Sequence, residues 1–187
     1  MSKNTAIKFL RVTWNDFEDD CINLSKKIND IKIDKIIAIS RGGLVASRIL
    51  SDLLSVKISH ISISSYKNLQ QDKEPLISDV PHGNFKGKIL LIVDDVSDSG
   101  KTLKRAIKYF RDLKVQKVYT ATAYIKPHTI QIPDFWIKKT TSWIIFPYEV
   151  KETVRAFLKI YKTKEKVAKK LISLGFNKAI VNFVLPK

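Results

Sequence analysis

The first strong pattern in the chain is helical. In WNDFEDDCINLSKKIND, Phe17, Cys21, Leu24 and Ile28 recur at steps of four, three and four, with acidic residues early and lysines late. This spacing predicts a helix over 15–29. The next pattern, KIIAIS over 35–40, is a continuous apolar run of strand length. Arg41-Gly42-Gly43 interrupts it, and Leu44, Ile49, Leu50 and Leu53 then form a helical stripe, so the segment reads as strand, tight turn, helix. VKISHISIS alternates Val56, Ile58, Ile61 and Ile63 loosely enough to predict a strand. A polar tract to Lys88 follows, carrying Pro75, Pro81, Gly83 and Gly87, and its length points to a functional loop or small subdomain.

The most apolar run is ILLIV at 89–93. It does not alternate, which predicts a central parallel strand covered on both faces. After an Asp-Ser-Gly turn, Leu103, Ala106, Ile107, Phe110 and Leu113 share one face of a helix beginning near Thr102. VYTATAY, FWIKKT and SWIIFP continue a strand-rich pattern to Pro147. Alternating strands and helices predict an α/β fold with a mostly parallel twisted sheet, and such sheets bind ligands beyond the carboxyl ends of their strands. Both glycine turns lie at such ends. Beyond Tyr148, Val154, Phe157, Leu158, Val167, Leu171 and Leu174 are spaced for one or two amphipathic helices.

Composition narrows the class. With 187 residues, 44% of them apolar, the chain reads as one compact domain with a sizeable core. A single cysteine, Cys21, excludes an internal disulfide framework, and the start MSKNTAIKFL has too short an apolar run for a signal peptide or membrane anchor. A cytoplasmic location is therefore expected. His60, His82 and His128 lie far apart without cysteine partners at ligand spacing, which argues against zinc and for oxygen ligands around any metal. The formal charge of +16 attracts polyanions of every kind. Half of it sits in the last fifth of the chain, where ten basic residues from Lys151 to Lys187 face only Glu152 and Glu165.

The chemistry concentrates in ILLIVDDVSDSGKTL, which ends in the Gly-Lys-Thr of a phosphate loop. A Walker loop would need glycine five positions before Gly100, where this chain has Asp95. From Ser97 to Thr102, small residues and Gly100 let successive backbone amides point into one concavity, and the following helix adds its positive end. A phosphate monoester fits there. Ser99 and Thr102 can add hydroxyl donors, while Lys101 either reaches the phosphate or lies outward in the first helical turn. Asp94 and Asp95 could cap the turn, or accept hydrogen bonds from vicinal hydroxyls, or hold Mg²⁺ through water. Hydroxyls beside a phosphate describe ribose 5-phosphate.

LLIVDDVSDSGKT resembles the signature of the type I phosphoribosyltransferases, an apolar strand, two acidic residues and a D-[ST]-G-x-T loop. SRGGL at 40–44 is similar to their pyrophosphate-binding turn, and AYIKP with SWIIFPYE to their purine-binding region. The resemblance covers roughly residues 10–150 and points to the 6-oxopurine branch, especially microbial xanthine-guanine phosphoribosyltransferases. It implies that fold with a small hood, a phosphoribosyltransferase domain over 1–150, a mobile loop at about 64–88 and a basic helical extension over 151–187. The implied reaction moves the phosphoribosyl group of phosphoribosyl diphosphate to N9 of guanine, hypoxanthine or xanthine, giving the nucleoside monophosphate and pyrophosphate.

The resemblance also implies roles. It places the 5-phosphate on Asp98, Ser99, Gly100, Lys101 and Thr102, and the ribose hydroxyls with Mg²⁺ at Asp94 and Asp95. Asp98 corresponds to the carboxylate beside purine N7, although the residue could equally cap the following helix. Ser40, Arg41, Gly42 and Gly43 resemble the turn that grips pyrophosphate, with a cis peptide expected near Ser40–Arg41. Ser64, Ser65 and Tyr66 resemble the start of the mobile loop. Lys126 corresponds to the donor to the purine 6-oxo group, Trp143 to the aromatic residue stacked on the base with Ile144 beside it, and Glu149 to a ligand of a second Mg²⁺. A solvated Lys126 and a core Trp143 are the plainer alternatives. A homodimer or homotetramer is the family expectation. A phosphoribosyl-diphosphate-sensing regulator that binds nucleic acid is the rival class, kept open by the basic extension. The presence of Asp98, Lys126 and Trp143 favours the enzyme. A phosphoribosyltransferase for another base, such as orotate, adenine or uracil, is the third reading and depends on Lys126 and Trp143 being misread.

Overall fold

A computed structural model describes residues 7–64 and 75–186. The chain divides into two compact units, one made of Met1–Phe17 with Ser142–Lys187 and the other of Glu18–Thr141.

The larger unit is built on a six-stranded sheet. Its strands are β2 (Lys35–Ser40), β3 (Ile58–Ser64), β4 (Leu76–Asp79), β5 (Ile89–Ser97), β6 (Lys117–Ile125) and β7 (Phe135–Lys139), in the order β4-β3-β2-β5-β6-β7. All neighbours are parallel except β4, which runs antiparallel to β3 at the edge. The ILLIV run is central, as its lack of alternation predicts: Leu90, Leu91, Ile92 and Val93 are all fully buried. On one face Leu90 and Ile92 join Ile37, Ile39 and Ile61 against Leu103, Ala106 and Phe110 of helix α3 (Lys101–Asp112). Leu91 and Val93 point to the opposite face by the strand's two-residue period.

Helix α2 (Gly43–Leu54) connects β2 to β3, and α3 connects β5 to β6. The first helix, α1 (Trp14–Ile28), starts one residue before the expected boundary. A reciprocal cap explains its start: Thr13 Oγ1 accepts from the Asp16 amide at 3.1 Å, and the Thr13 amide donates to Asp16 Oδ2 at 2.9 Å.

The smaller unit joins the two ends of the chain. Strand β1 (Phe9–Arg11), which no sequence pattern announces, pairs in parallel with β8 (Trp143–Ile145) as Phe9 to Trp143 and Leu10 to Ile144. Three helices follow where one or two are expected: α4 (Val150–Tyr161), α5 (Lys164–Ser173) and α6 (Lys178–Val184). The extra boundaries have local causes. Lys162 ends α4 in a left-handed conformation, and Thr163 then caps α5 by accepting from the Lys166 amide. Asn177 caps α6 in the same way, accepting from the Ala179 amide at 2.8 Å. Val154, Phe157, Val167 and Leu171 form the core of this unit with Ile145, Phe176 and Val181, while Leu158 and Leu174 are half-buried at its edge. Arg11 donates to the Gly175 carbonyl at 2.5 Å and lies over the Phe176 ring, tying β1 to the end of α5. Among the described residues no helix is long and apolar enough to cross a membrane.

Candidate active site

Parallel pairing of β2 with β5 sets Ala38 opposite Val93, so the loops that leave these two strands emerge side by side. The first is the turn Ser40–Gly43, and its Ser40–Arg41 peptide is cis, as expected. Ser40 Oγ lies 2.8 Å from Ser62 Oγ on β3. Neither glycine of the turn can carry a side chain without moving atoms of β5, a side chain in one case and backbone in the other. A Cβ on Gly42 would meet the Asp95 carboxylate, and a Cβ on Gly43 would meet the Val93 carbonyl and the Asp94 Cα. The glycines therefore let this turn press onto the strand end that carries the acidic pair.

The second loop encloses a cavity of about 300 Å³ lined by Asp94, Val96, Ser97, Asp98, Ser99, Gly100, Thr102 and Leu103. This is the concavity that the small residues from Ser97 to Thr102 predict. Asp94 lines it, with Oδ1 accepting from the Asp95 amide at 3.0 Å. Asp95 lies behind it, 7% exposed, against Gly42. Gly100 turns the chain into α3 with φ of +79°, and Ser99 Oγ lies 3.4 Å from the first amide of that helix, at Lys101. The contact that the Asp98 carboxylate makes is with His128 on the neighbouring loop. Lys101 lines a neighbouring groove along α3 with Lys104, Lys108 and Arg111.

Sequence reasoning missed the residues that brace this loop. The turn after β6 is stitched to it on both sides: the Lys126 amide donates to the Ser97 carbonyl at 3.0 Å and the Ile130 amide to the Ser99 carbonyl at 3.1 Å. Ser97 Oγ lies 2.8 Å from both Thr129 Oγ1 and the Gln131 carbonyl. Between these ties, His128 Nε2 sits 2.7 Å from Asp98 Oδ1. Lys126 is 7% exposed. Burial holds its ammonium below the ordinary lysine value, partly offset by attraction to Asp98. The plainer reading of Lys126 as a solvated loop residue does not describe this environment.

In the smaller unit, Trp143 is 44% exposed rather than a core residue, with its ring 6.4 Å from that of Phe9. Ile144 is buried, and Glu149 immediately precedes α4. Of the mobile-loop calls, Ser64 ends β3, whereas Ser65 and Tyr66 lie outside the described residues.

The donor set bears on a metal. Among the described residues no three or more His, Cys, Asp or Glu side chains are grouped to hold an ion by themselves. Two adjacent carboxylates at a strand end suit Mg²⁺, which keeps waters and takes one or two carboxylates together with substrate oxygens.

The model of the phosphoribosyl transferase domain matches residues 13–153. The chain belongs to this family. Xanthine-guanine phosphoribosyltransferase of Cereibacter sphaeroides is 30% identical over 153 residues, covering 76% of this chain and 88% of that one. The crystal structure of a purine phosphoribosyltransferase from Pyrococcus horikoshii is similar with a TM-score of 0.69 and 34% identity, over 75% of this chain and 93% of that one. The Helicobacter pylori xanthine-guanine-hypoxanthine phosphoribosyltransferase shares the fold at a TM-score of 0.69 and 24% identity, over 77% and 96%. In this phosphoribosyl transferase, the domain match ends within α4, so α5 and α6 lie beyond it.

Proposed function

We propose that this phosphoribosyl transferase is a purine salvage enzyme that moves the 5-phosphoribosyl group from phosphoribosyl diphosphate to N9 of a 6-oxopurine. The observation that carries the reading is the cavity lined by Asp94, Asp98, Ser99, Gly100 and Thr102, flanked by the glycine turn on one side and buried Lys126 on the other. The 30% identity to a xanthine-guanine enzyme supports the choice of base.

In this reading the amides and hydroxyls of Asp98–Thr102 hold the 5-phosphate, and Asp94 and Asp95 hold the ribose hydroxyls. The Ser40–Gly43 turn receives the leaving pyrophosphate. The C1–O bond breaks with its electron pair going to pyrophosphate, and N9 supplies the pair for the new C1–N bond. Charge develops on the sugar between these events, so the chain contributes mainly position and electrostatic complement. Asp98 takes or shares the proton of the purine N7 as N9 becomes the nucleophile.

Lys126 donates to the 6-oxo group. An ammonium there disfavours adenine, whose 6-amino group offers no matching acceptor. Trp143 and Ile144 are assigned to the base by the family resemblance. Mg²⁺ held by Asp94 and Asp95, with Glu149 assigned to a second ion, would neutralise charge on the diphosphate. A cytoplasmic homodimer or homotetramer completes the proposal.

Incubation with Mg²⁺, phosphoribosyl diphosphate and each nucleobase in turn tests the reading. Nucleotide and pyrophosphate should form in equal amounts with guanine, hypoxanthine or xanthine and not with adenine. No turnover with any base, together with salt-sensitive binding to nucleic acid, would replace it by the regulator reading.

A further inference from the structure

We propose that His128 is a positioning residue for the Asp98 carboxylate, fixing one of its oxygens so that the other is left to the purine. The inference rests on the phosphoribosyl transfer reading above and deepens it.

The contact is built by the backbone on both sides. Pro127 fixes the chain after β6, and the Thr129 amide closes a turn onto the Lys126 carbonyl at 3.1 Å. His128 stands inside that turn. Asp98 stands between Ser97 and Ser99, whose carbonyls accept from Lys126 and Ile130 respectively. The two residues that meet are thus each bracketed by a hydrogen bond to the other's loop. This fixes their separation far better than two long flexible side chains could.

The atoms also fit the role. A carboxylate only accepts, so the ring nitrogen 2.7 Å from Asp98 Oδ1 must carry the proton, which assigns the hydrogen to Nε2. That bond occupies Oδ1 and leaves Oδ2 as the acceptor for the purine N7 proton. Lys126, whose ammonium is attracted to Asp98, emerges from the same turn. A lysine and a histidine from one turn therefore flank the carboxylate. The pair itself is open to water, with side chains 66% and 64% exposed. An exposed pair of this kind contributes little to folding. Its effect should appear in the rate instead.

Five proteins separate these roles: wild type, His128→Ala, His128→Gln, Asp98→Asn, and His128→Ala combined with Asp98→Asn. With saturating phosphoribosyl diphosphate and the preferred 6-oxopurine, His128→Ala should lose about 10-fold to 100-fold in kcat, the scale of a displaced catalytic group. Its KM for phosphoribosyl diphosphate and its urea midpoint should stay near wild type. Glutamine can place an amide N–H close to the Nε2 position, so His128→Gln should recover most of the rate. In the Asp98→Asn background, His128→Ala should add no further loss. An active wild type with an unimpaired His128→Ala, or an equal loss in the Asp98→Asn background, overturns this inference and leaves the function standing. A wild type inactive on every 6-oxopurine overturns both.

Discussion

A Cβ built on Gly42 would stand 2.5 Å from Oδ2 of Asp95, so the first glycine of the Ser40–Gly43 turn and the second aspartate of the strand end occupy adjoining space. Gly43 is held more severely, because its Cβ would strike backbone atoms of Val93 and Asp94, which cannot rotate away. Alanine at the two positions should therefore have different consequences. Gly42→Ala displaces a side chain and should cost about 1–2 kcal/mol, with a marked rise in KM for phosphoribosyl diphosphate. Gly43→Ala must move β5 itself and should cost about 3 kcal/mol or more. Urea denaturation of both variants beside steady-state kinetics of Gly42→Ala checks the order, and equal costs would contradict it.

Gly100 joins the Asp98–Thr102 loop to the turn that carries Lys126 and His128. Its φ of +79° and a Cβ that would fall 2.6 Å from both the Gln131 amide nitrogen and Thr129 Oγ1 make it the tightest point between them. Gly100→Ala should lose about 1–2 kcal/mol from the backbone conformation alone, and the steric push adds to it. Because the push separates the two loops, KM for phosphoribosyl diphosphate and kcat should both worsen. A variant with reduced stability and unchanged kinetics would show that the loop tolerates the separation.

Asp98→Asn retains the shape of the side chain and removes its capacity to take a proton. It should lower kcat by about 100-fold, within the range for removal of a general acid–base group. Binding of phosphoribosyl diphosphate should stay within about threefold, since in the proposed reading the backbone amides and hydroxyls of the loop hold the phosphate. Equilibrium binding alongside single-turnover rates makes the comparison, and wild-type turnover would remove the role.

Why the concavity over Ser97–Thr102 could be read from sequence, and the contact of His128 with Asp98 could not, follows from distance along the chain. Asp94 to Thr102 are contiguous, and a strand followed by small residues and a helix dictates where their amides point. ILLIV likewise states its own burial, because no polar position interrupts it. His128 acquires meaning only from Asp98, 30 residues away, through hydrogen bonds between two loops. The sole local hint was a polar ring in a loop at a strand's carboxyl end. Strand β1 was hidden for the same reason: three residues near one end of the chain pair with three residues beyond position 140, and neither segment carries the partner's pattern. Helix α6, only seven residues long, falls below the length at which periodicity speaks.

Burial holds the Lys126 ammonium below the ordinary value of 10.5, and this has a consequence for stability. Between its lowered native value and 10.5, the native lysine has released its proton while the unfolded one still holds it. The unfolded chain binds more protons in that window, so this residue makes stability rise with pH across it and opposes folding fully below it. Lys126→Met removes the buried charge. It should be at least as stable as wild type at pH 7 and should lack this part of the gain between pH 7 and 10. The same variant should lose about 100-fold or more in kcat/KM for 6-oxopurines, since the exocyclic 6-oxo group loses its proposed donor. Denaturant unfolding of both proteins at the two pH values isolates the difference from lysines common to both.

Phe157 is the keystone of the smaller unit. It is fully buried, its ring meets Phe9 of β1 edge-on at 4.9 Å and Tyr161 at 5.5 Å, and Val154, Val167 and Leu171 complete its surroundings. Phe9 in turn is held in register by Trp143, so one aromatic ring couples the start of the chain to the helices at its end. Truncation leaves a cavity that two short parallel strands and three helices cannot collapse without losing their own contacts. Phe157→Ala should cost about 3–5 kcal/mol. Phe183, on α6 and 88% exposed, serves as the control, and Phe183→Ala should change stability by less than about 0.5 kcal/mol. Unfolding followed by tryptophan fluorescence, which includes Trp143 of β8, compares them. A small loss at Phe157 would mean that the extension is held to β1 and β8 by its other contacts, of which the Arg11 bond to Gly175 and its stacking on Phe176 are the foremost.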